Sequence, residues 1–180
     1  MKIEKKELII RSACPEDAPM LTAWWNDAKV MAHAPYPECF GLSEEAVLEG
    51  LKTQQAGKET CLIAFEGKPI GECSYALKPG HASMGINICV RKYQNKGLGT
   101  RMLKDFLRFL FTDKELRSIQ AVDRIQIEVN PKNKRACHVF EKLGFLCVKT
   151  EKNARKDLLG KTQALATYSL SWERYANFAK

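Results

Sequence analysis

The chain has 180 residues, 45% of them hydrophobic and 28% charged, with a net charge of +8; that suits one globular domain with a sizeable core. It contains no apolar run of about 18 residues or more, which argues against a membrane span, and the opening MKIEKKELII has no signal-peptide apolar core. Seven cysteines, none in a C-x-x-C pair, and three isolated histidines read as reduced, mostly buried thiols of a cytoplasmic protein and not as a metal site or disulfide framework.

In chain order, Leu8–Ser12 is predicted as a first strand. Pro15, followed by Glu16 and Asp17, opens a helix through about Asn26. Pro35 and Pro37 break the chain into a loop, after which Ser43 caps a helix that runs to about Gln55. TCLIAFEGKPIGECSYAL reads as a β-hairpin about Glu66 and Gly67, and ASMGINICV as the next strand. Leu98, Met102, Leu103, Phe106, Leu107 and Leu110 then recur at helical spacing up to about Asp113. RIQIEV alternates as a strand, Asn130-Pro131 turns into a helix to Leu143, and Gly144 ends it. FLCVKTE and QALATYSLSW close the chain as two strands joined by a charged tip around Lys152–Lys161. The order β-α-α-β-β-β-α-β-α-β-β describes a single mixed α/β domain over residues 1–180, without repeat or linker.

Charge is unevenly placed: −3 over residues 1–90 and +11 over residues 91–180. A basic second half suits a phosphate-bearing cofactor or a nucleic acid. The cations lack interleaved aromatic platforms and no nucleic-acid motif appears, so the cofactor is the favoured partner and no nucleic acid is expected.

VRKYQNKGLGT, Val90–Thr100, joins a strand to a helix through two glycines one residue apart. Its spacing fits neither a Walker loop nor a Rossmann turn, whose third glycine position here is Met102. Backbone N–H groups and the positive end of a helix dipole converge at such a junction and bind anions such as pyrophosphate.

Gln94-x-x-Gly97-x-Gly99 resembles the [QR]-x-x-G-x-[GA] signature of the GCN5-related N-acetyltransferase (GNAT) superfamily, and NKRACHVFEKLGF, Asn133–Phe145, resembles its second block. The order of elements resembles the GNAT fold, an α+β fold with a mixed, mostly antiparallel sheet flanked by helices. WWNDAKVMAHAPYP, Trp24–Pro37, resembles the aminoglycoside 6′-N-acetyltransferase-like and ribosomal-protein N-acetyltransferase-like branch.

The resemblance implies direct transfer of acetyl from acetyl-CoA to a primary amine: a small cationic amine such as an aminoglycoside or polyamine, or a protein N-terminal amine. It implies cofactor contacts from Ile88, Cys89 and Val90 through the main chain, from Gln94, Asn95, Lys96, Gly97, Leu98, Gly99 and Thr100 at the turn, and from Asn133. Trp25, Asp27 and Tyr36 would frame the acceptor, and a homodimer would be in keeping with the family.

The catalytic groups depart from the pattern. Phe140 stands where many members carry a tyrosine acid, which leaves Tyr75 or Tyr93 as candidates, or an unassisted thiolate. Asn87 stands where some members carry an aspartate, which leaves Glu72 as candidate base and Glu128 as the alternative. A CoA-binding regulatory homologue without catalysis is the alternative these departures admit, and a basic nucleic-acid-binding module is the alternative that the charge of the second half admits.

Overall fold

The computed structural model describes residues 1–33, 41–156 and 162–178. Among these, eight strands form one sheet in the order β1-β2-β3-β4-β5-β6-β8-β7. The strands are β1 (Lys2–Lys5), β2 (Leu8–Ser12), β3 (Lys58–Phe65), β4 (Lys68–Lys78), β5 (His81–Ile88), β6 (Arg124–Val129), β7 (Leu146–Lys156) and β8 (Thr162–Ser171). The helices are α1 (Ala18–Trp25), α2 (Glu44–Lys52), α3 (Leu98–Thr112), α4 (Lys114–Ile119), α5 (Lys134–Lys142) and α6 (Trp172–Phe178). None is long and apolar enough to cross a membrane.

The alternation of strand residues divides the sheet into two faces with different jobs. One face carries Leu8, Ile10, Cys61, Ile63, Cys73, Tyr75, Ile125 and Ile127 into a core with α3, α4 and α5. α3 enters that core through Met102, Leu103, Phe106, Leu107 and Leu110, the residues whose spacing marks it as a helix. On the other face a smaller cluster joins Ala18 and Leu21 of α1 and Val47 and Leu51 of α2 to Leu62 of β3. Among the described residues α1 and α2 thus roof one part of that face and leave β4, β5 and β6 partly open beside it.

Most expected elements form where their sequence signals lie. Ser43 caps α2 by accepting from the Ala46 N–H at 3.3 Å, and Glu66 and Gly67 turn the β3–β4 hairpin with φ of 50° and 71°. Three elements were not anticipated. β1 pairs antiparallel with β2 although its sequence is mostly charged. α4 starts anew after α3 because the Asp113 carboxylate accepts from the Leu116 N–H at 2.9 Å. α6 replaces the end of the last strand, with Trp172 and Tyr175 against Phe111. The first helix is also shorter than expected: Pro15–Asp17 forms a 3-10 turn before α1, which has Pro19 in its first turn. Of the hairpin tip expected around Lys152–Lys161, residues 152–156 instead continue β7, and residues 157–161 lie outside the described residues.

α6 also fastens the end of α5. Gly144 is left-handed at φ 90°, and a Cβ there would stand 2.6 Å from the ring of Phe178. Arg174 Nε donates to the Gly144 carbonyl at 2.9 Å. Gly144→Ala therefore meets both backbone strain and a clash. It should lower stability by about 1–3 kcal/mol in denaturant unfolding, and an unchanged midpoint would contradict this packing.

Candidate functional site

β5 and β6 run parallel but pair only at Ala82 with Ile125, Ser83 with Gln126 and Met84 with Ile127. Beyond Met84 the two strands part, while β5 stays in register with β4 as far as Ile88. The split leaves main-chain groups of β5 without a ladder on one side, and unpaired backbone groups in a cleft are a ready edge for an extended ligand. Ile88, Cys89 and Val90 lie at this open end, where the Ile88 carbonyl already accepts from Gln94 Nε2 at 2.8 Å and the Val90 N–H donates to the Ile70 carbonyl at 3.0 Å.

Two helix starts flank the split, one after each strand. Downstream of β5, a 3-10 turn at Arg91–Tyr93 leads to Asn95, left-handed at φ 62°, and to Gly97, left-handed at φ 75°, which is the cap residue of α3. A Cβ on Gly97 or Gly99 would meet nothing within 4 Å, so both glycines face open space at the positive end of the α3 dipole. That space is where an anion reaches the N–H groups of the first turn. Lys96 and Lys92 lie over the Tyr93 ring, 6.0 and 5.0 Å from its centroid. The Leu98 side chain turns into the core, so its contribution here is main-chain, and Thr100 follows in the first turn of α3.

Downstream of β6, Asn133 caps α5: its Oδ1 accepts from the Ala136 N–H at 3.2 Å. The cap occupies its oxygen, and among the described residues no hydrogen bond engages its Nδ2. Arg135 spans the mouth, its guanidinium donating to Asn95 Oδ1 at 2.6 Å. Sequence reasoning missed Arg135; its place beside Asn133 on a helix start was the available signal.

Glu72 lies opposite Asn87 in the β4–β5 register and opposite Leu62 in the β3–β4 register. Because Leu62 joins the α1–α2 cluster, Glu72 and Asn87 point to that half-roofed face, beside the split. Among the described residues no hydrogen bond or ion pair reaches the Glu72 carboxylate. Burial without such compensation pushes its pKa up to about 7. Glu128, on the same face of β6, instead lies 3.8 Å from Arg155. Burial and then the Glu72 carboxylate push the Cys89 thiol up.

Tyr75 requires a correction. It alternates onto the opposite face, in the α3 core, where it packs edge-on against Phe106 and Phe109. Its hydroxyl donates to Glu59 at 2.5 Å, and burial followed by that bond pushes its pKa up. A general acid facing Glu72 cannot be Tyr75. Tyr93 packs against Phe65 and the same core, and Phe140 is buried against Phe145 and Tyr168. Of the two tyrosines considered for the missing acid, Tyr75 is thus turned away from the site, and Tyr93 is half-buried at the glycine turn.

On the acceptor side, Trp25 is half-buried on the α1–α2 cluster. Asp27 is exposed just beyond α1, its Oδ1 accepting from the Lys29 N–H at 2.7 Å. Tyr36 lies outside the described residues.

The comparisons with known proteins agree with this geometry. The acetyltransferase (GNAT) domain family matches residues 7–146. Among solved structures, spermidine N-acetyltransferase from Vibrio cholerae, in complex with CoA and spermine, superposes with a TM-score of 0.81 at 18% identity, over 96% of this chain and 100% of that one. RimL, a ribosomal L7/L12 α-N-protein acetyltransferase in complex with coenzyme A, gives 0.77 at 17% identity over 95% and 98%. Ribosomal-protein-S5-alanine acetyltransferase from Vibrio fischeri gives 0.77 at 18% over 97% and 98%. No curated protein matches the sequence. With the family matched over most of its length and the strand split and glycine turn in place, the chain belongs to the GNAT acetyltransferases, which draw their acetyl group from acetyl-CoA.

Proposed function

We propose that the protein transfers acetyl from acetyl-CoA directly to a primary amine, with Glu72 as the general base. The acceptor is a small cationic amine such as an aminoglycoside or polyamine, or a protein N-terminal amine. The observation that carries this reading is a carboxylate without a charge partner on the half-roofed face beside the split. In this reading the pyrophosphate sits on the N–H groups around Gly97 and Gly99, and the pantetheine arm runs along the freed edge of β5. Asn133 and Arg135 close the other side.

An amine attacks only as the neutral base, so the ammonium proton must leave first. Glu72, ionised above about pH 7, attracts the cationic amine and takes that proton. The C–N bond then forms at the thioester carbon, and a main-chain N–H of β5 supports the oxyanion. The C–S bond breaks as the tetrahedral adduct collapses, the remaining ammonium proton of the adduct passes to the departing thiolate or to solvent, and Glu72 returns its own proton to solvent. A thiolate whose acid has a pKa of about 8–9 leaves without a dedicated acid, which accommodates Phe140.

Glu72 is preferred to Glu128 because the Arg155 guanidinium lies 3.8 Å from the Glu128 carboxylate, whereas among the described residues no hydrogen bond or ion pair reaches Glu72. Polyamines and protein N-termini are what the named neighbours act on. The acidic first half of this chain, which contributes α1 and α2, favours a cation.

Thiol release from acetyl-CoA across aminoglycosides, polyamines and N-terminal peptides tests the reading; absence of turnover on every amine class would overturn it. With an active amine in hand, kcat/KM should rise with pH through an apparent pKa near 7. Glu72→Gln should remove that limb and lower kcat by about a hundredfold or more, with acetyl-CoA affinity retained. The sign for stability is opposite. A folded-state pKa raised from 4.5 to about 7 means that ionising Glu72 disfavours the fold as pH climbs between those values. Glu72→Gln should therefore unfold at a higher temperature than the wild type at pH 8 and lose that advantage below about pH 4.5. At the glycine turn, Gly99→Ala adds a methyl with no protein neighbour, so Tm should hold. Since the [QR]-x-x-G-x-[GA] pattern admits alanine at this position, KM for acetyl-CoA should also hold, whereas the bulkier Gly99→Val should raise it about tenfold or more as a charge-assisted bond is lost.

A further inference from the structure

β5 has to leave β6 after Met84 and still lie on β4 as far as Ile88, and three contacts grip it where it does so. A Cβ on Gly71 of β4 would stand 2.2 Å from the Asn87 carbonyl oxygen, 3.2 Å from its carbonyl carbon and 3.0 Å from the Ile88 Cα. All three are backbone atoms, which cannot rotate out of the way as the end of a flexible side chain does. Gly85, one strand over, shows the contrast: a Cβ there meets only the Ser74 Oγ, at 3.2 Å. The second contact is the Val90 N–H, which donates to the Ile70 carbonyl at 3.0 Å. The third comes from the glycine turn itself, where Gln94 Nε2 donates to the Ile88 carbonyl at 2.8 Å.

We infer that Gly71 and Gln94 are positioning residues for the acetyl-transfer strand: a backbone seat on β4 and a side-chain tether from the turn fix residues 87–90 at the split. Gln94 turns back to β5 instead of outward, which revises its expected contact with the cofactor. Its tether couples the pyrophosphate turn to the strand that lies along the thioester, so the two ends of the cofactor site are held in one frame. Gly71 acts by having no side chain. Any other residue there pushes the Asn87–Ile88 peptide off β4 and towards the gap. This inference rests on the acetyltransferase reading for its kinetic consequence and on contacts within the chain for its structural one.

The test combines Gln94→Ala, Gln94→Arg and Gly71→Ala, read by amide hydrogen exchange over residues 86–90, by Tm and by kinetics with acetyl-CoA and the amine that the panel identifies. Gln94→Ala should speed exchange at 86–90 about tenfold, the loss of one hydrogen bond, without changing protection within α3. It should lower kcat by a similar factor and leave the amine KM as it is. Gln94→Arg still carries donors for the Ile88 carbonyl and should recover most of both effects. Gly71→Ala should lower kcat further per folded molecule. Wild-type exchange and kcat in Gln94→Ala, or an arginine variant no better than alanine, overturn the inference. So does Gly71→Ala with reduced Tm but undiminished activity per folded molecule, which would be packing alone. Should the wild type turn over no amine, the reading of function fails, and the exchange experiment still decides whether the tether exists.

Discussion

One constraint organises the molecule: beyond Met84, β5 stays on β4 and no longer pairs with β6. A central strand that pairs fully on both sides is closed to ligands, since its N–H and C=O groups are all spent in the ladder. Here three paired residues join β5 to β6 before the strands part. Each then runs into a helix start, α3 beyond the glycine turn and α5 beyond Asn133. The split and the two helix starts are one feature, because a chain that leaves the sheet at that point has to cap a helix on either side of the gap. Backbone polarity freed by the split faces the dipole ends that the helices bring.

The two faces of the sheet divide the remaining labour. The α3–α5 face is filled with apolar side chains and takes Tyr75 with it, its hydroxyl spent on Glu59. The α1–α2 face is only part-covered, and there β4 and β5 present Glu72 and Asn87 next to the gap. A residue's position along a strand decides its depth in the site, and its parity decides whether it is in the site at all. Glu72 and Tyr75 are three residues apart and so lie on opposite faces.

That parity marks where the sequence was legible and where it was not. Periodicity placed α3 and α5 because their apolar stripes are long and bounded by Gly97, Asn133 and Gly144, residues whose backbone roles show locally. The glycine turn and the asparagine cap were readable for the same reason. Tyr75 and Glu72 were both readable as chemistry, but the face each one takes depends on which strand residue meets the core, and SYAL and GECS carry no marker of that. β1 was missed because its charged sequence pairs only once β2 supplies the edge, and α4 because Asp113 reads equally as the end of α3 and as a new cap. Gly71 looked like any strand glycine, since its close neighbour on β5, Asn87, is sixteen residues away in the chain and close approach leaves no local pattern. Arg135 was one cation among many until the fold set it against Asn95 across the mouth.

The chemistry that remains follows from a charge left without a partner. Arg11 and Asp17, where α1 meets β2, show how this chain treats a buried carboxylate that serves structure. The guanidinium donates to both oxygens, at 2.6 and 2.8 Å, and although burial opposes ionisation the hydrogen bonds keep Asp17 below its usual range. Glu72 receives no such treatment, and its proton affinity rises to match that of a working base. The same carboxylate helps to hold the Cys89 thiol protonated, so the sulfur beside Glu72 is a poor nucleophile. A covalent route through Cys89 would need a group that draws its proton away, and its charged neighbour does the reverse. In the proposed reading, direct attack by the amine is the route that this field favours, because the incoming ammonium would bring to Glu72 both the countercharge it lacks and the proton it can take.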